Sequence, residues 1–305
     1  MLGYRSAVTR ELVLDAAAVT AARDLAWAAS PAAGGSGTGA PAWPEALLPA
    51  WTGSTNEDLA ALGPQAPHLS VVATLDQRSG RGRLDREWVA PAGAALATSL
   101  LLRPPAGVPV DALGWATVLV ALVAAEAVDQ LAGRQAAGVK WPNDLLVDGK
   151  KAAGILARLV PGQPPLGNTV VVGIGINLNQ TRQELPVGTA TSLAMAGIQA
   201  AGDQVLGTLW ARLAGVSDEW FAANGSVTRP LAALGGRSVL EAARSTSATL
   251  GNEVRVHLPG GRELVGIATD LDSDGCLVVS DARGEAHHVH AGDVVHLRRS
   301  DGGYA

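Results

Sequence analysis

Lysine is almost missing from this chain of 305 residues, which carries three lysines against twenty arginines. Cysteine occurs once, phenylalanine once, and tyrosine and methionine twice each. A single cysteine, Cys276, excludes an intrachain disulfide and suits a reducing compartment. With no activating base near it in sequence, it reads as a small apolar strand residue and not as a nucleophile. Long hydrophobic runs are absent too. The longest, residues 112–125, covers about fourteen positions where a membrane span needs roughly 20, so a central buried helix is expected there. The N-terminal Met1-Leu2-Gly3-Tyr4-Arg5-Ser6 has no apolar signal core. Nor is there an excess of positive charge: the net charge is −5 and the pI near 5.7. That balance excludes a protein built to coat nucleic acid or anionic membrane. The expectation is a cytoplasmic protein with neither membrane nor DNA as partner.

What is present is a globular composition, 48% apolar and 17% charged, arranged in two styles. Residues 1–235 read as an α+β domain and residues 236–305 as a small β-barrel. In the first, Asp15 starts an amphipathic helix over residues 13–29, and residues 31–44 read as a flexible loop rich in Gly, Ala, Ser and Pro. Ser54 and Glu57 fit a capping box, with Gly63 and Pro64 ending that short helix. Residues 69–75 and 94–102 read as strands, 111–131 as the long central helix, and 139–147, 153–160 and 169–177 as strands. The turn Asp148-Gly149 joins two of these into a hairpin. A helical period returns over residues 203–223. Beyond Gly235 short strands are expected at 238–241, 253–258, 264–271, 277–280, 287–290 and 294–297.

Three segments carry polar chemistry. All the lysines lie in Lys140-Trp141-Pro142-Asn143-Asp144-Leu145-Leu146-Val147-Asp148-Gly149-Lys150-Lys151. A chain so biased toward Arg keeps Lys where a compact, rotatable ammonium does what a planar guanidinium cannot. Asn143 and Asp144 offer an amide and a carboxylate suited to a polar ligand or to Mg²⁺, and the hairpin returns Lys151 toward them. The second segment, Gly80-Arg81-Gly82-Arg83-Leu84-Asp85-Arg86, alternates glycines with guanidiniums. It reads either as an anion cradle or as an exposed basic loop, and it is no Walker A loop because the Gly-Lys-Ser/Thr ending is missing. The third, Gly173-Ile174-Gly175-Ile176-Asn177, reads equally as close backbone approach to a ligand or as tight sheet packing. His287-His288-Val289-His290 looks like a metal site, but three histidines on one short strand alternate faces and cannot all bind one ion, so no protein cage for a metal is expected. Trp27, Trp43, Trp115, Trp210 and Trp220 read as core or interface residues.

Ser54-Thr55-Asn56, Gln77 with Gly80-Arg81-Gly82-Arg83, Arg86 and Trp88, Lys140-Trp141-Pro142-Asn143-Asp144, Lys151 with Gly154-Ile155-Leu156, and the Gly173 to Asn177 strand together resemble the biotin–protein ligases. The likeness covers about residues 50–180 and extends weakly through Gly292-Asp293-Val294-Val295-His296-Leu297-Arg298. It implies a mixed-sheet, class II synthetase-like catalytic domain with an SH3-like C-terminal barrel. It also implies an enzyme that joins biotin to ATP, releases pyrophosphate and passes biotin to a lysine of a biotin carboxyl carrier protein of an acyl-CoA carboxylase. Two departures stand out. Asp85 replaces a glycine of the family's basic loop, trimming its positive field. The first fifty residues cannot supply the helix-turn-helix repressor domain some members carry.

By this resemblance Lys151 is the active-site lysine, contacting the biotin carboxylate and the α-phosphate, while Arg83 and Arg86 close over the adenylate. Ser54, Thr55 and Gln77 are the ureido contacts, with Asn56, Gly80, Arg81, Gly82 and Gly154 completing the biotin end. Trp88, Lys140, Asn143, Asn177 and Arg298 fall on the ATP side. Asp144 meets the carrier lysine, and Mg²⁺ accompanies ATP, with Asp144 its one candidate protein ligand. A homodimer is compatible with the family, whose edge strand serves self-association or carrier docking. The rivals are a lipoate–protein ligase, disfavoured by the polar set at the ureido end and by the barrel, and a non-catalytic nucleotide-binding module.

Overall fold

Helix α1 (Ala16–Ala28) begins where the Asp15 carboxylate accepts the Ala18 N–H at 2.7 Å. The computed structural model describes residues 10–34, 41–83, 86–162, 167–258, 261–290 and 293–296. Strand β1 (Ala46–Leu47) precedes α2 (Thr55–Ala61), which Ser54 caps by accepting the Glu57 N–H. Strand β2 (Val71–Thr74) follows, then the ribbon of β3 (Gly80–Arg81) and β4 (Glu87–Trp88), then β5 (Ala95–Leu102). Helix α3 (Ala116–Ala132) leads to β6 (Ala137–Lys140), β7 (Asp144–Val147), β8 (Lys150–Val160) and β9 (Thr169–Asn177). After α4 (Gly202–Ala222) and α5 (Val239–Thr246) come β10 (Glu253–His257), β11 (Glu263–Leu271), β12 (Leu277–Ser280), β13 (Ala286–Val289) and β14 (Asp293–His296).

Seven strands make one mixed sheet in the order β1-β2-β5-β9-β8-β7-β6, with β1 and β2 parallel and the other pairs antiparallel. Alternation gives its two faces different jobs. Leu96, Leu100, Val170, Val172, Ile174 and Ile176 join the core with α3 and α4. The opposite face carries Ala97, Ser99, Gly173, Gly175 and Asn177, and α2 covers part of it through Leu59, packed on Val72, Leu101 and Val171. The expected barrel is an antiparallel five-stranded sheet, β13-β12-β11-β10-β14. Its apolar residues Val254, Val256, Leu277 and Val279 belong to the same core cluster as α3.

Four expectations need correction. Residues 139–147 are not one strand: β6 and β7 form a hairpin about Trp141-Pro142-Asn143, because Pro142 has no N–H to continue a ladder. Residues 238–241 open helix α5 instead of a strand, since Ser238 and Glu241 form a reciprocal capping box. Within residues 31–44, of which 35–40 lie outside the described residues, Pro31–Gly34 is a 3₁₀ turn, and Trp43 sits edge-on between Trp27 and Trp210. The central helix begins as a 3₁₀ segment, Val110–Trp115. With it the helical stretch Val110–Ala132 reaches 23 residues, long and apolar enough to cross a membrane by length and composition, though 61% of its most apolar window is buried within this fold.

Candidate active site

A row of small residues crosses the open face of the large sheet. Ala97 of β5 pairs with Gly175 of β9, Gly175 with Gly154 of β8, and Gly154 with Asp144 of β7. These residues floor a cleft of about 620 Å³, a size that suits a small-molecule ligand. The glycines serve tight packing of side chains over the sheet. A Cβ at Gly175 would come within 2.5 Å of the Trp88 indole, and one at Gly173 within 2.5 Å of the Asn56 amide.

One end of the cleft is built by α2. Gln77 Oε1 accepts from the backbone N–H of Thr55 at 2.9 Å and from its hydroxyl at 3.2 Å. Ser99 Oγ lies 2.8 Å from both Thr55 Oγ1 and Asn56 Oδ1, and the Asn56 amide donates to the Leu156 carbonyl. Ser54 combines the cap of α2 with a position on the cleft wall. The basic segment closes over this end as a ribbon, Arg81 opposite Glu87 and Gly80 opposite Trp88. Gly80 itself is buried against Gln77 and Trp88 and does not line the cleft, whereas Arg81, Gly82, Arg83, Arg86 and Trp88 do. Arg83 Nη1 donates to Asn143 Oδ1 at 3.2 Å, tying this ribbon to the β6–β7 hairpin. Leu84 and Asp85 lie outside the described residues.

The lysine segment supplies the centre. Asp148 and Gly149 both have positive φ, 48° and 74°, as a two-residue hairpin turn of this hand requires. In strict alternation Lys151 would point to the face opposite Gly154. The register shifts between Leu145 and Leu146, leaving Ala152 as the extra residue of a bulge, and Lys151 turns onto the cleft face. Its Nζ reaches Asp144 Oδ1 at 2.6 Å, with side chains 36% and 21% exposed. Lys140 and Asn143 line the same wall, and the Asn143 amide donates to the Ile155 carbonyl.

Asn177 ends β9 at the far end of the cleft. Its amide donates to the Thr191 carbonyl at 2.8 Å and accepts from Gln180 at 2.8 Å. The loop of residues 179–191 forms this end, and Gln180, Glu184, Pro186, Val187 and Ala190 line it. Sequence reasoning missed that loop, and it missed Ser99. Two signals were available: the loop directly follows the glycine strand, and Ser99 stands one alternation step from Ala97. Glu184 is held down to about 2, by the Arg10 guanidinium first and by the Thr181 N–H second. His257 and Val294 of the small sheet also reach the cleft. Arg298 lies outside the described residues.

The three histidines of the small sheet go separate ways: His287 to Asp281, His288 to Asp272 and His290 to the Cys276 thiol. Among the described residues, Asp281, Glu285 and His287 form the one group spaced for a metal, with Asp281 already accepting the N–H groups of Arg283 and Glu285.

Fold and cleft match a class. The model of the Biotin/lipoate A/B protein ligase family matches residues 50–177, and that of the Biotin protein ligase C terminal domain matches residues 249–297. Over 269 residues the chain is 37% identical to the biotin--[acetyl-CoA-carboxylase] ligase of Mycobacterium tuberculosis, covering 87% of this chain and 92% of that protein. It is 36% identical over 143 residues to the bifunctional ligase/repressor BirA of Bacillus subtilis, 46% of this chain and 42% of that one. Among solved structures, the biotin protein ligase from Aquifex aeolicus in complex with biotin and ATP superposes with a TM-score of 0.62 at 24% identity, over 82% and 97% of the two chains. The chain therefore belongs to the biotin protein ligase family.

Proposed function

We propose that the protein is an ATP-dependent biotin–protein ligase, and that the observation carrying this reading is Lys151 turned by its bulge onto a small-residue floor beside Asp144. A biotin carboxylate oxygen attacks the α-phosphorus of ATP, the bond to the β-phosphate bridging oxygen breaks, and pyrophosphate leaves. Two anions must meet for this. Their repulsion at 4 Å is about 4 kcal/mol in a half-wet cleft. Lys151 offsets it from the floor, and Arg83 and Arg86 offset it from the ribbon. In the second half-reaction the amine of a carrier lysine attacks the acyl carbon and AMP departs. Asp144 is the base beside the reacting carbonyl, and Lys151 stabilises the charge on the leaving phosphate.

Thr55, Gln77 and Ser54 make the ureido end, where paired donors and acceptors set specificity against lipoate, which lacks that ring. Asn56 and Gly154 support that end, while Lys140, Asn143, Asn177 and Trp88 serve the nucleotide. The closed ribbon keeps water from the mixed anhydride.

Mg²⁺ supplies charge neutralisation on the ATP phosphates when bound. The donor set fits it: four carboxylates line the cleft, of which Arg158 engages Glu57, Arg10 engages Glu184 and Glu87 stands on the ribbon, while Asp144, though paired with Lys151, is the one on the floor. One carboxylate plus substrate phosphates is the usual way this ion is held. The acceptor we propose is the biotin carboxyl carrier domain of an acyl-CoA carboxylase, in keeping with the name of the mycobacterial relative.

The test is ATP–pyrophosphate exchange with biotin and lipoate supplied separately. Biotin-dependent exchange that falls about 10²–10³-fold in Lys151→Ala is expected. Exchange with lipoate alone overturns the biotin assignment, and none with either overturns the ligase.

A further inference from the structure

The loop of residues 179–191 is stitched to the catalytic layer at both ends. Lys151 N–H donates to the Thr189 carbonyl at 2.8 Å, and Thr191 N–H donates to the Lys151 carbonyl at 2.8 Å. Its first turn is fixed by Gln180 on Asn177. Its middle is held from outside, by a residue near the start of the chain. Arg10 Nε donates to Asn179 Oδ1 at 2.9 Å, and its two terminal nitrogens reach Glu184 at 3.0 and 2.5 Å. Glu184 passes this restraint on by accepting the Thr181 N–H and hydroxyl at 2.9 and 3.0 Å.

Arg10 is positioned by more than this pair. The carbonyl of Glu11 lies so close over Gly93 that a Cβ there would come within 2.4 Å of it, at a φ of +73° that favours glycine. Asp15 N–H donates to Asp203 at the start of α4. Residues 10–15 are thus a strap laid across the base of the loop. The Arg10 side chain is only 14% exposed and Glu184 28%. A two-pronged Arg–carboxylate pair so sheltered from water holds its geometry better than an exposed one.

The loop walls the end of the cleft away from α2. Asn56 lies over Gly173, and Asn177, where the loop attaches, is four residues further along β9, about 13 Å at strand rise. If α2 holds the ureido ring, as the ligase reading has it, the loop end holds the nucleotide. We infer that Arg10 and Glu184 form a clip by which the N-terminal strap presets this loop for ATP, making both positioning residues for the nucleotide half of the site. The inference rests on the ligase reading for which ligand lies at that end. Neither residue donates a group to the reaction.

The experiment uses the full chain and four variants: Arg10→Ala, Arg10→Lys, Glu184→Gln and the exchanged pair Arg10→Glu with Glu184→Arg. Exchange kinetics give KM for ATP and for biotin separately, and trypsin cleavage after the exposed Arg182 reports loop order without reference to activity. Opening the clip is expected to raise KM for ATP about tenfold, the size of a lost charge-assisted contact. KM for biotin should stay within about twofold of the parent, since the strap's hydrogen bonds go to Asn179, Glu184 and Asp203 and not to α2. Faster cleavage at Arg182 and partial recovery in Arg10→Lys or in the exchanged pair complete the expected result. An unchanged KM for ATP in Arg10→Ala overturns the inference. So does a rise of both KM values together with a lowered Tm, which would mark a general structural role. If the parent chain shows no biotin-dependent exchange, the ligase reading falls instead, and faster cleavage in Arg10→Ala still tests the clip itself.

Discussion

Lys151 and Asp144 hold each other at 2.6 Å, so an incoming carboxylate must compete with Asp144 for the ammonium. That exchange would leave Asp144 without its partner as the adenylate forms, when a base for the carrier lysine is next needed. Asp144→Asn keeps hydrogen-bonding capacity but removes the proposed base. Biotin-dependent exchange in this variant should stay within about tenfold of the parent, while transfer from preformed adenylate to the carrier should slow about 10²-fold. Single-turnover transfer measured beside exchange separates the two. Equal losses in both would place the main role of Asp144 in the first half-reaction, as the carboxylate that holds Mg²⁺, and not as the base of the second. At Cys276 the structure adds what sequence proximity hid: His290 Nδ1 lies 3.0 Å from the thiol, though 14 residues distant in the chain. Burial pushes that thiol up to about 11, so it stays protonated at neutral pH and inert despite the neighbouring base.

Among the elements, two small irregularities do most to arrange the site. The bulge at Ala152 sets which face Lys151 uses, and Pro142 turns one expected strand into the hairpin that carries Asn143 and Asp144. Both follow from backbone hydrogen bonding, and only the second had a visible residue behind it. Helix α5 is a third case. Its capping box joins Ser238 Oγ to the Glu241 N–H at 3.2 Å and Glu241 to the Ser238 N–H at 2.8 Å. Ser238→Ala should cost about 1 kcal/mol in urea unfolding. A loss below a few tenths would show that the packing of Val239 and Ala242 alone holds this helix.

At the scale of the molecule, two tryptophans bind the small sheet to the large one. Trp115 donates to the Ser273 carbonyl at 3.0 Å and Trp141 to the Gly275 carbonyl at 3.1 Å. Trp141 belongs to the lysine segment by sequence, yet its ring is buried and its N–H grips the turn of the other sheet. Because one core cluster runs through both sheets, thermal unfolding should be a single transition by tryptophan fluorescence and far-UV circular dichroism alike. Trp141→Phe removes the donor and leaves the Gly275 carbonyl to water. It should lower the midpoint by a few degrees without splitting the transition. Two separated transitions in either protein would show that the sheets unfold independently.

The residue order alone determined the α+β class, the appended small sheet and most of the polar set on the cleft. These follow from local chemistry: turn residues at Asp148-Gly149, alternation along the strands, the lysine cluster, and motifs that the family shares. Tertiary structure decided the face on which Lys151 stands, the small-residue floor running from Ala97 to Asp144, and the loop wall of residues 179–191. It also decided the approach of Arg10 to Glu184, 174 positions apart in the chain. Such features depend on ladder register and on contacts between distant segments. Register shifts by one residue at a bulge, and loop closure lets residues meet whatever their separation, so neither leaves a mark in local sequence.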